Sequence, residues 1–199
     1  MRIARVVRLL VFSCLLMAPR AGAQRAARGI YLNVGSLTTI RDLNTSGSEF
    51  LSGGLFFGGG LYWEPFPTDS SLRFQGDFVW NRETLHTPKA GSGTNVDLSL
   101  IGINLEYIYL AHRRWALTFA GGGGAAFLHV WDTTGVVRAR PFARFGLGAR
   151  YTPNRHLQYF VQTFGILYDL RNFPANSVLG PYSRRQSAVA IGLGAAYAL

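Results

Sequence analysis

The chain has 199 residues, enough for one domain with its own core. Twenty lysines and arginines against ten acidic residues give a formal net charge of +10, with no nucleic-acid-binding motif to accompany it. The single cysteine, Cys14, excludes an intramolecular disulfide framework.

The first 23 residues, "MRIARVVRLLVFSCLLMAPRAGA", combine Arg2, Arg5 and Arg8 with an apolar run from Leu9 to Ala18. A small-residue site, Ala21-Gly22-Ala23, follows. That is the pattern of a secretory signal peptide, and the apolar run is too short for a membrane-spanning helix. Its removal takes away Cys14 and four arginines. Residues 24–199 then carry sixteen basic and ten acidic side chains, a net of +6. For an exported chain, the arginine excess suits anionic lipid headgroups and lipopolysaccharide phosphates rather than nucleic acid.

From residue 24 onward the sequence reads as strands broken by turn clusters, with no helical period of useful length. Eight strands are expected, at 28–38, 50–63, 71–81, 95–110, 114–128, 136–151, 156–168 and 187–199. The third is the clearest. In "SLRFQGDFVW", Leu72, Phe74, Gly76, Phe78 and Trp80 alternate with Arg73, Gln75, Asp77 and Val79. A soluble sandwich or lipocalin-like barrel would turn the aromatic set inward, whereas a membrane barrel turns it toward lipid. The sixth strand sets Arg138, Arg140, Arg144 and Arg150 against an apolar row. In the last, Val189, Ile191, Leu193 and Tyr197 oppose only Ala and Gly, where a water-facing strand would carry charge. Strands one, two and four are apolar on both faces in places, so their orientation stays open.

The connections alternate in length. "EPFPTDS" (64–70), "AHRR" (111–114) and "TPNR" (152–155) are short, as is "WDTTG" (131–135). The segments 38–49, 81–94 and 169–185 are long and polar. Tight turns at one end and long loops at the other are characteristic of outer-membrane barrels. Tyr62, Tyr107, Tyr151 and Tyr197 recur at intervals of 45, 44 and 46 residues, one up-and-down strand pair each. They are expected to form an interfacial girdle beside the short turns, with Trp80 and Trp131 in the opposite girdle. A propeller could repeat at this length, but it would need four short strands per unit rather than two long ones.

Taken together, strand count, loop asymmetry, leader and last strand resemble the small OmpA/OmpX-type outer-membrane barrels of Gram-negative bacteria, over roughly residues 28–199. "AVAIGLGAAYAL" is similar to that family's C-terminal insertion signal, although Leu199 stands where the family prefers phenylalanine. The resemblance implies an eight-stranded antiparallel up-and-down transmembrane barrel, monomeric, in the cell outer membrane. Its implied partners are outer-membrane lipids, lipopolysaccharide, the barrel insertion machinery and an extracellular ligand at the long loops.

The lumen is expected to be filled by polar side chains, and their network is structural: Arg73, Asp77, Asp97, Glu106, Arg138, Arg140, Arg144 and Arg150 pair off inside a closed eight-stranded wall. The other possibility is a narrow anion-leaning conduit. "FAGGGGAAF" (119–127) lacks the Lys-Ser/Thr of a phosphate loop and reads as a packing strand. Four histidines, His86, His112, His129 and His156, are candidate bases for a lipid A-modifying enzyme. The residues two places on are Pro88, Arg114, Trp131 and Gln158, not the serine that lipid A deacylases of this architecture use. No His, Asp or Glu spacing suggests a metal site, and no cofactor is expected.

Overall fold

The computed structural model describes residues 27–39, 50–65, 70–87, 91–112, 114–131, 137–169 and 185–199. The leader, the 38–49 and 169–185 loops except for a few residues at their ends, and most of 131–135 lie outside these residues.

Nine strand segments make one antiparallel sheet: β1 (Ala27–Thr39), β2 (Phe50–Ser52), β3 (Gly54–Glu64), β4 (Ser70–Thr87), β5 (Gly91–His112), β6 (Trp115–Val130), β7 (Val137–Tyr151), β8 (Leu157–Asp169) and β9 (Arg185–Ala198). β2 and β3 are two parts of one wall strand interrupted at Gly53, and both pair with β4. β1 pairs with both β3 and the last strand, while β4 pairs with β5. The ring is therefore an eight-stranded closed barrel without helices among the described residues. Closure leaves no free edge along the shared wall, as a bilayer requires.

The outer face is apolar all the way round. Leu32, Leu55, Leu61, Ile103, Ile191 and Leu193 are each more than 60% exposed, and the phenylalanines of "SLRFQGDFVW" point outward with them. On β5 this outer row runs from Tyr109 to Ser99. Ten steps of about 3.4 Å, tilted by about 40°, span roughly 25 Å, the height of a transmembrane barrel's apolar band. The opening alternation thus resolves as a membrane barrel, aromatics outward. The three strands whose orientation the sequence left open follow the same rule, with Tyr31, Phe56 and Leu98 inside and Leu32, Phe57 and Ile101 outside.

One expected loop is instead strand. β4 continues to Thr87 and β5 begins at Gly91, so most of 81–94 is a hairpin rising beyond the barrel, with an irregularity at Leu85/His86. The period of two simply persists: Asn81 and Glu83 turn inward and Arg82 outward. Pro141, in the first half of β7, lies just before Phe142, the first residue of β7 paired with β8, where a missing N–H breaks no ladder on that side.

Candidate functional site: the barrel interior

The inward row of each strand meets its counterparts across a narrow lumen, and the lumen has two layers. At the short-turn end lies a charged layer. Glu64, at the end of β3, accepts Ser71 Oγ at 2.6 Å, and its Oε2 accepts Arg73 Nη2 at 2.8 Å and Nε at 3.2 Å. Arg73 also donates to Gln158 Oε1 at 3.0 Å, and its guanidinium lies 3.9 Å from the centre of the Tyr62 ring. Glu106 Oε2 accepts Arg150 Nη2 at 2.6 Å and Gln75 Nε2 at 2.9 Å, with Arg73 Nε 4.0 Å away. Arg144 pairs with Asp77 and stacks 3.9 Å over Phe164. All six charged groups are nearly inaccessible to water. Three carboxylates thus face three guanidiniums, and the layer is neutral. Burial of any one of them unpaired would be costly, so the pairing is what makes the arrangement possible.

At the long-connection end the lumen is apolar. Leu37, Phe56, Val79, Leu98, Leu128 and Ile166 are fully or almost fully buried there. Phe56 on β3 meets Phe164 on β8 edge-on at 5.5 Å, across the barrel rather than along one wall. This layer corrects the expectation of a lumen filled by polar side chains. It also explains the strands that looked apolar on both faces: Leu98 and Leu100 point into the plug, while Ile101 and Ile103 point to lipid. Gly122 is required in the wall at the middle. A Cβ there would lie 2.2 Å from the Ile103 carbonyl oxygen and 2.3 Å from Asn104 Oδ1. Among the described residues, two cavities bordered by the charged layer have room for about 10 Å³ each, roughly one water at most.

Above the apolar layer, three residues beyond Trp80, sits Glu83. It is 2% exposed and accepts Asn81 Nδ2 at 2.8 Å and Thr39 Oγ1 at 3.1 Å. Burial pushes its carboxyl up to about 7, although those two hydrogen bonds pull the other way.

Several expected site residues move. Asp97 is not in the lumen. It lies on the outer face, opposite Arg82, and accepts Arg82 Nε at 2.8 Å and Trp131 Nε1 at 2.9 Å. Burial raises the Asp97 carboxyl, but the Arg82 and Trp131 bonds more than reverse this and hold it below its ordinary value. The misplacement comes from parity, because Leu98 and Leu100 occupy the inner row of β5. Tyr62 likewise leaves the girdle for the lumen, where it receives Arg73. Its neighbour Trp63 takes the interfacial place, stacked on Phe74 at 5.5 Å. Tyr107, Tyr151 and Tyr197 do face outward at the short-turn end, Tyr151 packed against Trp115 at 4.9 Å. Trp80 and Trp131 lie at the other end. The Arg138 side chain lies outside the described residues, and Arg140 has an interaction partner of its own. Glu64, placed in a turn by sequence reasoning, is a full member of the charged layer. Its shared parity with Tyr62 was the available signal.

Among the described residues, neither His129 nor His156 is hydrogen-bonded to a serine. His129 packs edge-on against Trp131 at 5.0 Å on the outer face. His156 is exposed beside a turn in which Asn154 Oδ1 accepts the His156 and Leu157 amides, and its ring stacks on Tyr197. The side chains of His86 and His112 lie outside the described residues. Among the described residues, no three His, Cys, Asp or Glu side chains gather as a metal site would need.

The fold and this interior define a transmembrane β-barrel with a packed lumen. More particularly, the fold is that of the small OmpA/OmpX-type outer-membrane barrels. Neisserial surface protein A superposes with a TM-score of 0.59 at 13% identity, covering 87% of this chain and 99% of its own. Ail, the attachment invasion locus protein of Yersinia pestis, in complex with the heparin analogue sucrose octasulfate, superposes at 0.56 and 13% identity, covering 88% of this chain and all of its own. No protein-family model matches the sequence, and no curated protein sequence matches it.

Proposed function

We propose that this chain is a non-enzymatic integral protein of the Gram-negative outer membrane, exported through residues 1–23 and working as a monomer with its long connections outside. The lumen is a structural plug, and the work is done at the membrane and at the loops. The observation that carries this reading is the paired charged layer, three carboxylates on three guanidiniums beneath a packed apolar layer. A conduit would need a continuous wet path, and a catalytic interior would need a base within reach of substrate. The C-terminal strand, paired to both β1 and β8, is the segment offered to the insertion machinery.

The loops are where a partner would bind. Residues 38–49, 81–94 and 169–185 carry six basic side chains, Arg41, Arg82, Lys89, Arg171, Arg184 and Arg185, against the four acids Asp42, Glu49, Glu83 and Asp169, a small basic excess that leans toward an acidic extracellular ligand. The complex of Ail with a heparin analogue supports that class of partner by likeness of fold alone. The test is planar-bilayer recording of the purified, heat-modifiable barrel. The plug reading expects a silent membrane from the wild type, and reproducible conductance steps would refute it.

A further inference from the structure

The outer wall carries a notch that the plug does not explain. β3 runs Gly58-Gly59-Gly60 at this level, and the wall sinks between Ile30 and Leu32 of β1 and Phe78 and Trp80 of β4. The resulting groove has a volume of about 710 Å³ and an almost wholly apolar lining, within the range of small-molecule sites. A side chain cannot simply fill it from Gly59, since a Cβ there would meet the Tyr31 carbonyl oxygen at 2.7 Å and Leu32 Cδ2 at 2.8 Å. The groove lies inside the apolar band, so its occupant is hydrocarbon. It runs from the Trp80 level, at the long-connection end, down to Ile30 and Leu61, so the leaflet that supplies the hydrocarbon is decided by what stands at its upper end.

Above the groove, and extending from β4 along the wall to β6, is a polar cluster that also faces outward. The Trp80 ring stacks on Phe57 at the groove's upper end and lies 5.5 Å below the Arg82 guanidinium. Arg82 is also 5.5 Å from Trp131, and Asp97 joins Arg82 to the Trp131 indole. His129 completes the row as the cross-strand partner of Asp97. The Arg82 side chain is 46% exposed despite its ion pair, and Trp131 is 58% exposed. An outward guanidinium, a carboxylate and a more than half-exposed indole at headgroup height are complementary to a phosphate, hydroxyls and a sugar ring.

We propose that this wall is a binding site for one outer-leaflet lipid A-type molecule. One acyl chain lies along Gly58–Gly60, the phosphate sits on Arg82, and the sugar packs against Trp131 with its hydroxyls toward Asp97. The site goes beyond the plug reading, because nothing in it depends on whether the lumen conducts.

The test is native mass spectrometry of the delipidated barrel after incubation in nanodiscs holding equal lipid A and phosphatidylglycerol. Each variant is first checked for the heat-dependent gel shift of a folded barrel. The expected result is one retained lipid A, favoured over phosphatidylglycerol by about tenfold. Leu32→Trp, which narrows the groove, and Arg82→Ala, at the exposed rim, should each reduce retention about fivefold or more, while Ile103→Ala leaves it unchanged. Equal retention of both lipids, preference for phosphatidylglycerol, no retention, or variants that behave like the wild type would each overturn the site.

Discussion

Glu106 and Arg150 give the sharpest test of the plug. Among the described residues, the carboxylate facing Arg150 within ion-pair distance is Glu106, and both side chains are at least nine-tenths buried. Glu106→Leu therefore strands a guanidinium beside the lumen wall, while Arg73 keeps Glu64 at 2.8 Å. Removing one partner of such a pair costs about 3–5 kcal/mol, most of it the desolvation of the survivor. Arg150→Met should cost a similar amount, because Glu106 then retains only Gln75 and a distant Arg73. The double replacement exchanges two buried charges for two apolar groups of similar bulk. It should return to within about 1 kcal/mol of the wild type, or exceed it. Reversible urea unfolding in lipid vesicles, followed by tryptophan fluorescence and the unheated gel band, measures all four corners of the cycle. Single replacements that each cost less than about 1 kcal/mol, or a double that costs their sum, would refute the idea of a mutually dependent buried pair.

Three further outcomes follow from the same geometry. Ile103→Arg, well inside the outer band, should destabilise the barrel by about 2–4 kcal/mol in vesicles, whereas Ser99→Arg at the interface should cost at most about 1 kcal/mol. Equal costs at the two depths would mean that this face does not meet hydrocarbon. Glu83 titrates near 7 in the fold against an ordinary value of 4.5, so its contribution is complete below about pH 4.5 and is lost as the pH rises through 7. Glu83→Gln should therefore match the wild type at pH 4 and exceed it at pH 8, by on the order of 3 kcal/mol, in the same unfolding assay. A difference that does not change with pH would remove Glu83 as the titrating group. Gly122→Ala places a methyl 2.2 Å from the Ile103 carbonyl oxygen and should sharply lower the yield of heat-modifiable barrel, whereas Gly121→Ala, whose Cβ finds nothing closer than 4.0 Å, should not.

Much of this was legible in the sequence, and the reason is physical. A strand that separates lipid from a charged lumen must alternate strictly, so β4 and β7 declared both their faces. β5 did not, because its inner row runs from Val96, Leu98 and Leu100 to Asn104 and Glu106 as it passes from the apolar layer to the charged one. With apolar side chains on both faces, the parity of Asp97 was undetermined and it was assigned to the lumen. Tyr62 failed for a related reason. Its 45-residue spacing matched the girdle tyrosines, but spacing fixes height along the wall and not which face is presented. The hairpin at 81–94 was hidden by its turn-like composition, although Asn81, Arg82 and Glu83 carried the alternation on. The outer cluster of Arg82, Asp97 and Trp131 could not be seen at all, since it depends on register among three strands.

The claim on which everything rests is that odd and even residues of one strand lie in different media. Residues 24–199 contain no cysteine, so single cysteines can be placed at will. Spin labels at Phe78→Cys, Val79→Cys, Leu100→Cys and Ile101→Cys, in barrels reconstituted into vesicles, report collision with dissolved oxygen and with an aqueous nickel chelate. Positions 78 and 101 should be open to oxygen and closed to the chelate, while 79 and 100 should be shielded from both. Chelate collisions at 79 or 100 would show a wet lumen, and chelate collisions at 78 and 101 would show a barrel whose aromatic face never met a membrane.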